Sequence, residues 1–260
     1  MIAETWKKAR LGTLKPSSKA TMETAYRIHV LPEWGGRTVG SIRRSEVSAW
    51  IGVLLETRKA QTVRRAVFVL SGILEIAVDD RAISKNPVQG VDLPAKQRKE
   101  PKYLTHAQVS ALVKEARYPE LVNFLAYTGV RWGEAAGLRI ANVEFEKSRA
   151  LVADNAVIVG GVYEMGTPKS GKSRTIVFPR FLLDGLLALS EDRDGAEFIF
   201  GDSRPPAYPH GTSGWLVKAV SACQFDDQAF PTITLHDLRH TAASLAISAL
   251  TSTSFSVTLR

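Results

Sequence analysis

Cysteine is nearly absent from this 260-residue sequence: only Cys223 is present. That excludes an internal disulfide and a cysteine-built metal cluster. No stretch approaches the roughly 20 uninterrupted apolar residues of a membrane span. The opening residues, Met1-Ile-Ala-Glu-Thr-Trp-Lys-Lys, lack the basic-then-apolar order of a secretory leader. A cytoplasmic protein with no membrane partner is expected. Internal repeats and low-complexity blocks are missing as well. Tyrosine is unevenly placed: Tyr26, Tyr103, Tyr118, Tyr127, Tyr163 and Tyr208 all precede residue 236.

What is present is an apolar share of 45%, enough for a packed core, in a length that allows one large domain or two ordinary ones. The net charge of +8 is asymmetric. Residues 1–102 carry 19 Lys and Arg against 10 Asp and Glu, while residues 103–260 carry 15 against 16. A basic half beside a near-neutral half points to a nucleic-acid partner, because Lys and Arg displace counterions from phosphates; a merely soluble basic surface is the alternative.

The first half reads as about four helices. One spans residues 3–10. Ser17-Ser18 resembles an N-cap for 19–29, and 32–36 reads as a turn. Ser45 is expected to cap a helix to about Glu56, and Thr62 to Asp80 carries the longest apolar stripe. Arg43 and Arg44 lie near one helix start, and Lys59, Thr62, Arg64 and Arg65 near the next. Asn86-Pro87 ends the run. Val91 to Tyr103 has the composition of an exposed basic linker. The expected division is a helical domain over 1–93, a linker over 94–102 and a second domain over 103–249.

The second domain opens on Thr105 and Gln108, a capping-box pair. Helical patterns follow to about Ala116 and over Leu121 to Tyr127. Residues 150–179 turn β-rich, with Pro168-Lys169-Ser170-Gly171-Lys172-Ser173 as a turn between two runs. Helices return near 181–190, 212–222 and from 236. The fold class is therefore mostly α with a small antiparallel β-sheet (α+β).

Two stretches carry chemistry. In Thr128-Gly129-Val130-Arg131-Trp132-Gly133-Glu134, a glycine-bounded break places Arg131 where backbone and guanidinium can approach a phosphate, and Glu134 can orient that cation. In Leu235-His236-Asp237-Leu238-Arg239-His240-Thr241, His236 and Arg239 share a helix face and suit an anion. A structural Arg–Glu pair and a solvated helix start are the alternatives. His240 is expected to face away from His236. Trp132 and Trp215 read as core aromatics, and His29, His106 and His210 carry no pattern.

Together, Thr-Gly-Val-Arg with Glu134, a lysine in an expected β-hairpin, and His-x-x-Arg resemble the tyrosine recombinases, the phage-integrase family, over residues of about 18 to 248. The resemblance implies a helical (SAM-like) core-binding domain and a catalytic domain closing on double-stranded DNA, with other recombinase protomers in a tetramer on DNA. It implies a tyrosine nucleophile, a 3′-phosphotyrosine intermediate, and no metal or nucleotide cofactor, and it places the protein on the host nucleoid. Arg131 and Arg239 would clamp the non-bridging oxygens of the scissile phosphate, where charge builds in the transition state. Lys169 would protonate the leaving 5′-oxygen, with Lys172 in the same turn as the alternative, and His236 would assist proton transfer. Glu134 would support the first arginine. Arg43, Arg44, Lys59, Thr62, Arg64, Arg65 and Lys172 would touch DNA, mostly at phosphates.

One part of the family pattern is not met. The family has its nucleophilic tyrosine beyond the second arginine, yet none of the 21 residues after Arg239 is tyrosine. The last stretch, 250–260, is Ser/Thr-rich and β-prone, which points to a frameshifted tail on an incomplete catalytic domain. Without a separate domain before the core-binding unit, a late start codon is also expected. The expectation is a site-specific integrase that does not cut DNA alone. A non-catalytic DNA-binding remnant or decoy, and a poorly folded gene product, are the alternatives.

Overall fold

The computed structural model describes residues 2–96, 100–168 and 171–257, with side chains described through Ala249. The chain forms two compact units, Met1–Lys99 with Ile158–Val162, and Glu100–Val157 with Tyr163–Arg260. The class is α+β, as the sequence predicts: helices dominate, and the strands form small sheets.

The first unit is built around one helix. α1 (Ile2–Trp6) runs into a π-helical turn at Lys7–Leu11, α2 (Pro16–Ala25) into a second at Tyr26–Val30, and α3 (Leu31–Trp34) follows directly. After α4 (Arg44–Thr57) comes α5 (Ala60–Asp79), whose stripe of Val63, Ala66, Val67, Leu70, Leu74 and Ala77 is buried. The three- and four-residue spacing puts these side chains on one face, and α1, α2 and α4 pack against α5.

Several helix starts differ from expectation, and three of them have a local cause. α2 begins at Pro16 rather than after Ser17-Ser18, because proline at the first helical position is already set at helical φ. Residues 31–34 are helical rather than a turn; Pro32 sits in the first turn, where a missing N–H costs little. α4 starts before Ser45. Its cap is the Glu46 carboxylate, which accepts the Arg43 N–H at 2.9 Å and is held by the Arg37 guanidinium.

Past α5, the buried Asn86 donates to Ser71 O at 3.0 Å and to Glu75 Oε2 at 2.7 Å, and accepts the Val88 N–H at 3.0 Å. Two residues expected to touch DNA hold the segment that follows. Arg64 donates to Pro94 O at 2.9 Å, and Arg44 donates to the Gly90 carbonyl.

In the second unit, α6 (His106–Glu115) begins with the capping box the sequence predicts: Gln108 N–H donates to Thr105 Oγ1 at 3.2 Å, and Thr105 N–H to Gln108 Oε1 at 3.0 Å. α7 (Pro119–Thr128) is the central helix, with Leu121, Val122, Phe124, Leu125 and Ala126 fully buried. α8 (Trp132–Ala136) follows after a three-residue break. β1 (Val143–Glu144), β2 (Arg149–Val152) and β5 (Arg174–Val177) form an antiparallel sheet in the order β1-β2-β5, with Leu151 opposite Thr175. β3 (Asn155–Val159) and β4 (Val162–Gly166) form a separate two-stranded sheet, of which Ile158–Val162 is counted with the first unit. α9 (Leu183–Ser190), α10 (Trp215–Asp226) and α11 (Leu235–Val257) complete the unit.

Two more expectations change here. The lysine-bearing turn is not a hairpin tip: among the described residues β4 pairs with β3 and β5 with β2, so the turn links two sheets. The stretch over 250–257 is not extended either. Its backbone continues α11, because adding residues to an existing helix avoids the nucleation cost that isolated β-prone residues face. Among the described residues no helix is long and apolar enough to cross a membrane.

Candidate phosphate-binding site

The site begins at the end of α7. Gly129 adopts φ +65°, the left-handed conformation that glycine enters without a Cβ penalty, and its N–H closes the helix on Leu125 O. The reversal turns the Gly129 carbonyl toward α11, where Arg239 Nη1 donates to it at 2.9 Å. A Cβ on Gly129 would stand 3.3 Å from Ala242 Cβ, so the small residues after Arg239 allow α11 to close on this turn. Two arginine motifs far apart in sequence thereby meet at one helix terminus.

Arg131 is the N-cap of α8, in extended conformation. Its N–H donates to Glu134 Oε2 and its Nη1 to Glu134 Oε1, both at 3.0 Å. The Glu134 side chain has no solvent exposure. It also takes a fork from Arg174 at the head of β5, with Nη1 to Oε1 at 3.1 Å and Nη2 to Oε2 at 2.7 Å. Burial pushes this carboxyl up, but the hydrogen bonds from Arg174 and Arg131 outweigh it and hold the pKa at about 2. The same pairing raises the Arg174 guanidinium further. Two cations on one carboxylate leave a net positive site. The Arg131 and Arg174 side chains are 39% and 36% exposed.

α8 can lie flush on β3 because Gly133 faces it: a Cβ there would come within 2.5 Å of Asn155 Oδ1 and 2.6 Å of Ala156 O. Behind Arg131, Trp132 meets Trp215 at 6.2 Å and Tyr208 at 5.5 Å between ring centroids. Trp215 is buried, as a core aromatic should be, and its Nε1 donates to Ala207 O at 2.7 Å. Tyr163 Oη donates to the Pro206 carbonyl and accepts the Tyr208 N–H, and Tyr118 Oη accepts the Ala207 N–H. The segment over 206–208 is thus strapped against Trp132 of α8 and Trp215.

α11 starts on its own box, with Asp237 Oδ2 accepting both the Thr234 N–H and the Thr234 hydroxyl at 2.7 Å. His236 is exposed on the first turn and Arg239 is half-buried one turn on. His240 does not face away from His236; their rings meet edge to face at 4.9 Å. Residues four apart on a helix lie one above the other, which sets this contact. Thr241, fully buried, donates to Asp237 O and accepts the Leu104 N–H, both at 3.0 Å.

The structure therefore brings Arg131, Glu134 and Arg239 to one helix break, with His236 on the first turn of the helix that carries Arg239. Lys169 lies outside the described residues. Lys172 is exposed in the turn before β5. Arg43 and Lys59 are exposed N-cap residues of α4 and α5, while Thr62, Arg64 and Arg65 are half-buried in the first turns of α5. Arg174 is absent from the sequence-based set: nothing local pairs it with Glu134, 40 residues earlier. Its one signal is its place just after the lysine turn. Among the described residues no group of three His, Cys, Asp or Glu side chains is placed to hold a metal ion.

Residues 102–252 match the model of the phage integrase family. A tyrosine recombinase of Thermosipho africanus is 24% identical over 221 residues, covering 80% of this chain and 72% of that protein. The fold is similar to that of the Tn1549 transposon integrase in complex with a circular intermediate DNA, with a TM-score of 0.76 at 19% identity over 95% of this chain and 86% of the other. It is also similar to lambda integrase in a tetramer bound to a Holliday junction, with a TM-score of 0.65 at 15% identity over 94% and 71%.

Proposed function

The chain belongs to the phage integrase family, and on that premise we propose that it is a site-specific DNA recombinase whose Arg131, Arg239, His236 and Lys169 gather around one backbone phosphate of duplex DNA. The observation that carries this reading is the bond from Arg239 to Gly129 O, which fixes one guanidinium two residues from the base of the other. Two forked cations suit the non-bridging oxygens of a phosphodiester. They also suit the further charge these oxygens carry as a fifth ligand approaches phosphorus. The exposure of His236 on the same helix supports a role in assisting proton transfer or holding the phosphate. Lys169 protonates the leaving 5′-oxygen in this reading. DNA partners and further protomers follow from the same family membership, with Arg43, Lys59, Thr62 and Arg65 as phosphate contacts of the first unit.

Binding to a short fluorescent duplex across a salt series tests the reading. Each phosphate contact contributes a slope of about 0.9 in log affinity against log salt. Replacing Arg131 or Arg239 by alanine should weaken binding about tenfold and flatten the slope by about one contact. Unchanged affinity and slope in both variants would falsify the reading.

One observation favours a second reading, DNA binding without strand cleavage by these residues alone. All six tyrosines precede His236. Tyr118 and Tyr163 hold the 206–208 strap, and Tyr127 is hydrogen-bonded to His106 at 2.9 Å. The 260-residue chain incubated with a nicked duplex should form no covalent adduct, and should form one when a segment carrying the family's tyrosine is supplied in trans. An adduct without that segment sinks the second reading.

A further inference from the structure

We infer that Arg174 is a positioning residue for Arg131, acting through Glu134; the inference rests on the phosphate-clamp reading above. An ionised carboxylate offers about four acceptor positions. In Glu134 all four are taken: two by the fork of Arg174, one by the Arg131 N–H and one by Arg131 Nη1. Arg131 is thereby held by one edge of its guanidinium, with its side chain still 39% exposed.

Removing Arg174 frees two acceptor positions on a buried anion. The nearest donor is Arg131 itself. A guanidinium prefers a two-bond grip on a carboxylate over a one-bond grip, so Arg131 would turn inward and fork onto Glu134. The cation that should face DNA would then be spent on its own support. The charge balance changes in the same direction: with Arg174 the trio carries one net positive charge, and without it the Arg131–Glu134 pair is neutral.

Arg174 also opens β5, two residues after Lys172 and five after Lys169. The bond to Glu134 therefore fixes the exit of the lysine-bearing turn to the start of α8. Arg174 need not touch the phosphate to do this; both of its terminal nitrogens are engaged by Glu134.

The test is a double-mutant cycle on duplex binding across a salt series, with R131A, R174Q, R174K and the double variant R131A/R174Q. Near-native circular dichroism is the entry condition for each. R174Q should weaken binding nearly as much as R131A, about tenfold, and flatten the salt slope by about one contact. The double variant should bind within about twofold of R131A alone, because the orienting residue has nothing left to orient. R174K keeps the charge and loses the fork. It should weaken binding about threefold, and it carries the test if R174Q does not fold. If the double variant loses the product of the two single effects and about two units of slope, Arg174 contacts DNA directly and the inference fails. It fails equally if R174K matches the unmodified chain, since charge alone then accounts for Arg174. If R131A and R239A both bind normally, it is the phosphate-clamp reading that fails, and the inference with it.

Discussion

Replacing Glu134 by glutamine removes one charge from the centre of the site with almost no change in shape. In the folded chain the carboxyl sits at about 2, well under the ordinary value of about 4.3 for glutamate. A depressed value means that the folded state favours the ionised form. A shift of roughly two units, at about 1.4 kcal/mol each, is about 3 kcal/mol. Both partner guanidiniums are more than a third exposed, so solvent screening reduces this to about 2 kcal/mol. That stabilisation is fully present above the unfolded value, and it is lost as pH falls toward the folded one. E134Q should therefore be about 2 kcal/mol less stable than the unmodified chain at pH 7, and the gap should close between about pH 4.5 and pH 2. Urea unfolding reports on the stability, and hydrogen exchange of the Arg131 amide reports on the bond itself. If the two proteins unfold within 0.5 kcal/mol of each other at about pH 7, or if the gap is the same at about pH 3, the buried carboxylate is not the anchor described above.

Gly129→Ala forces a Cβ into left-handed backbone beside Ala242, and should lower stability by about 1–2 kcal/mol in a thermal melt. Because Arg239 is bonded to that carbonyl, the variant should also bind duplex DNA more weakly at equal folded fraction, as a fluorescence titration would show. Thr241→Val keeps the volume but leaves the Leu104 N–H without its acceptor. Urea unfolding should show a loss of about 1–3 kcal/mol, and a loss under 0.5 kcal/mol would mean that water replaces the hydroxyl.

Local features were legible in the sequence where a few neighbouring residues decide them. Thr105 and Gln108 read as a capping box and form one, and Glu134 read as a support for Arg131 three residues earlier and is bonded to it twice. The α5 stripe followed from its spacing. What was not legible depends on partners distant in sequence. Arg174 reaches Glu134 only because β5 pairs with β2, and the register of that pairing is set by the fold rather than by the strand. The lysine turn looked like a hairpin because two β-rich runs flank it; the pairing went to other strands. His240 meets His236 because four residues return almost to the same face of a helix. The π-helical turns at Lys7–Leu11 and Tyr26–Val30 have no sequence signature that helix propensities express.

The hydroxyl of Thr241 has a mechanical meaning. Leu104 is where the chain arrives from the basic stretch, and its amide is fastened to a helix residue one step past His240 and two past Arg239. A fastening at a surface loop would let a pull on that stretch dissipate in the loop. Here the Leu104 amide is bonded to the buried Thr241 hydroxyl, which in turn donates to Asp237 O, so a pull on that stretch is passed to the first turns of α11.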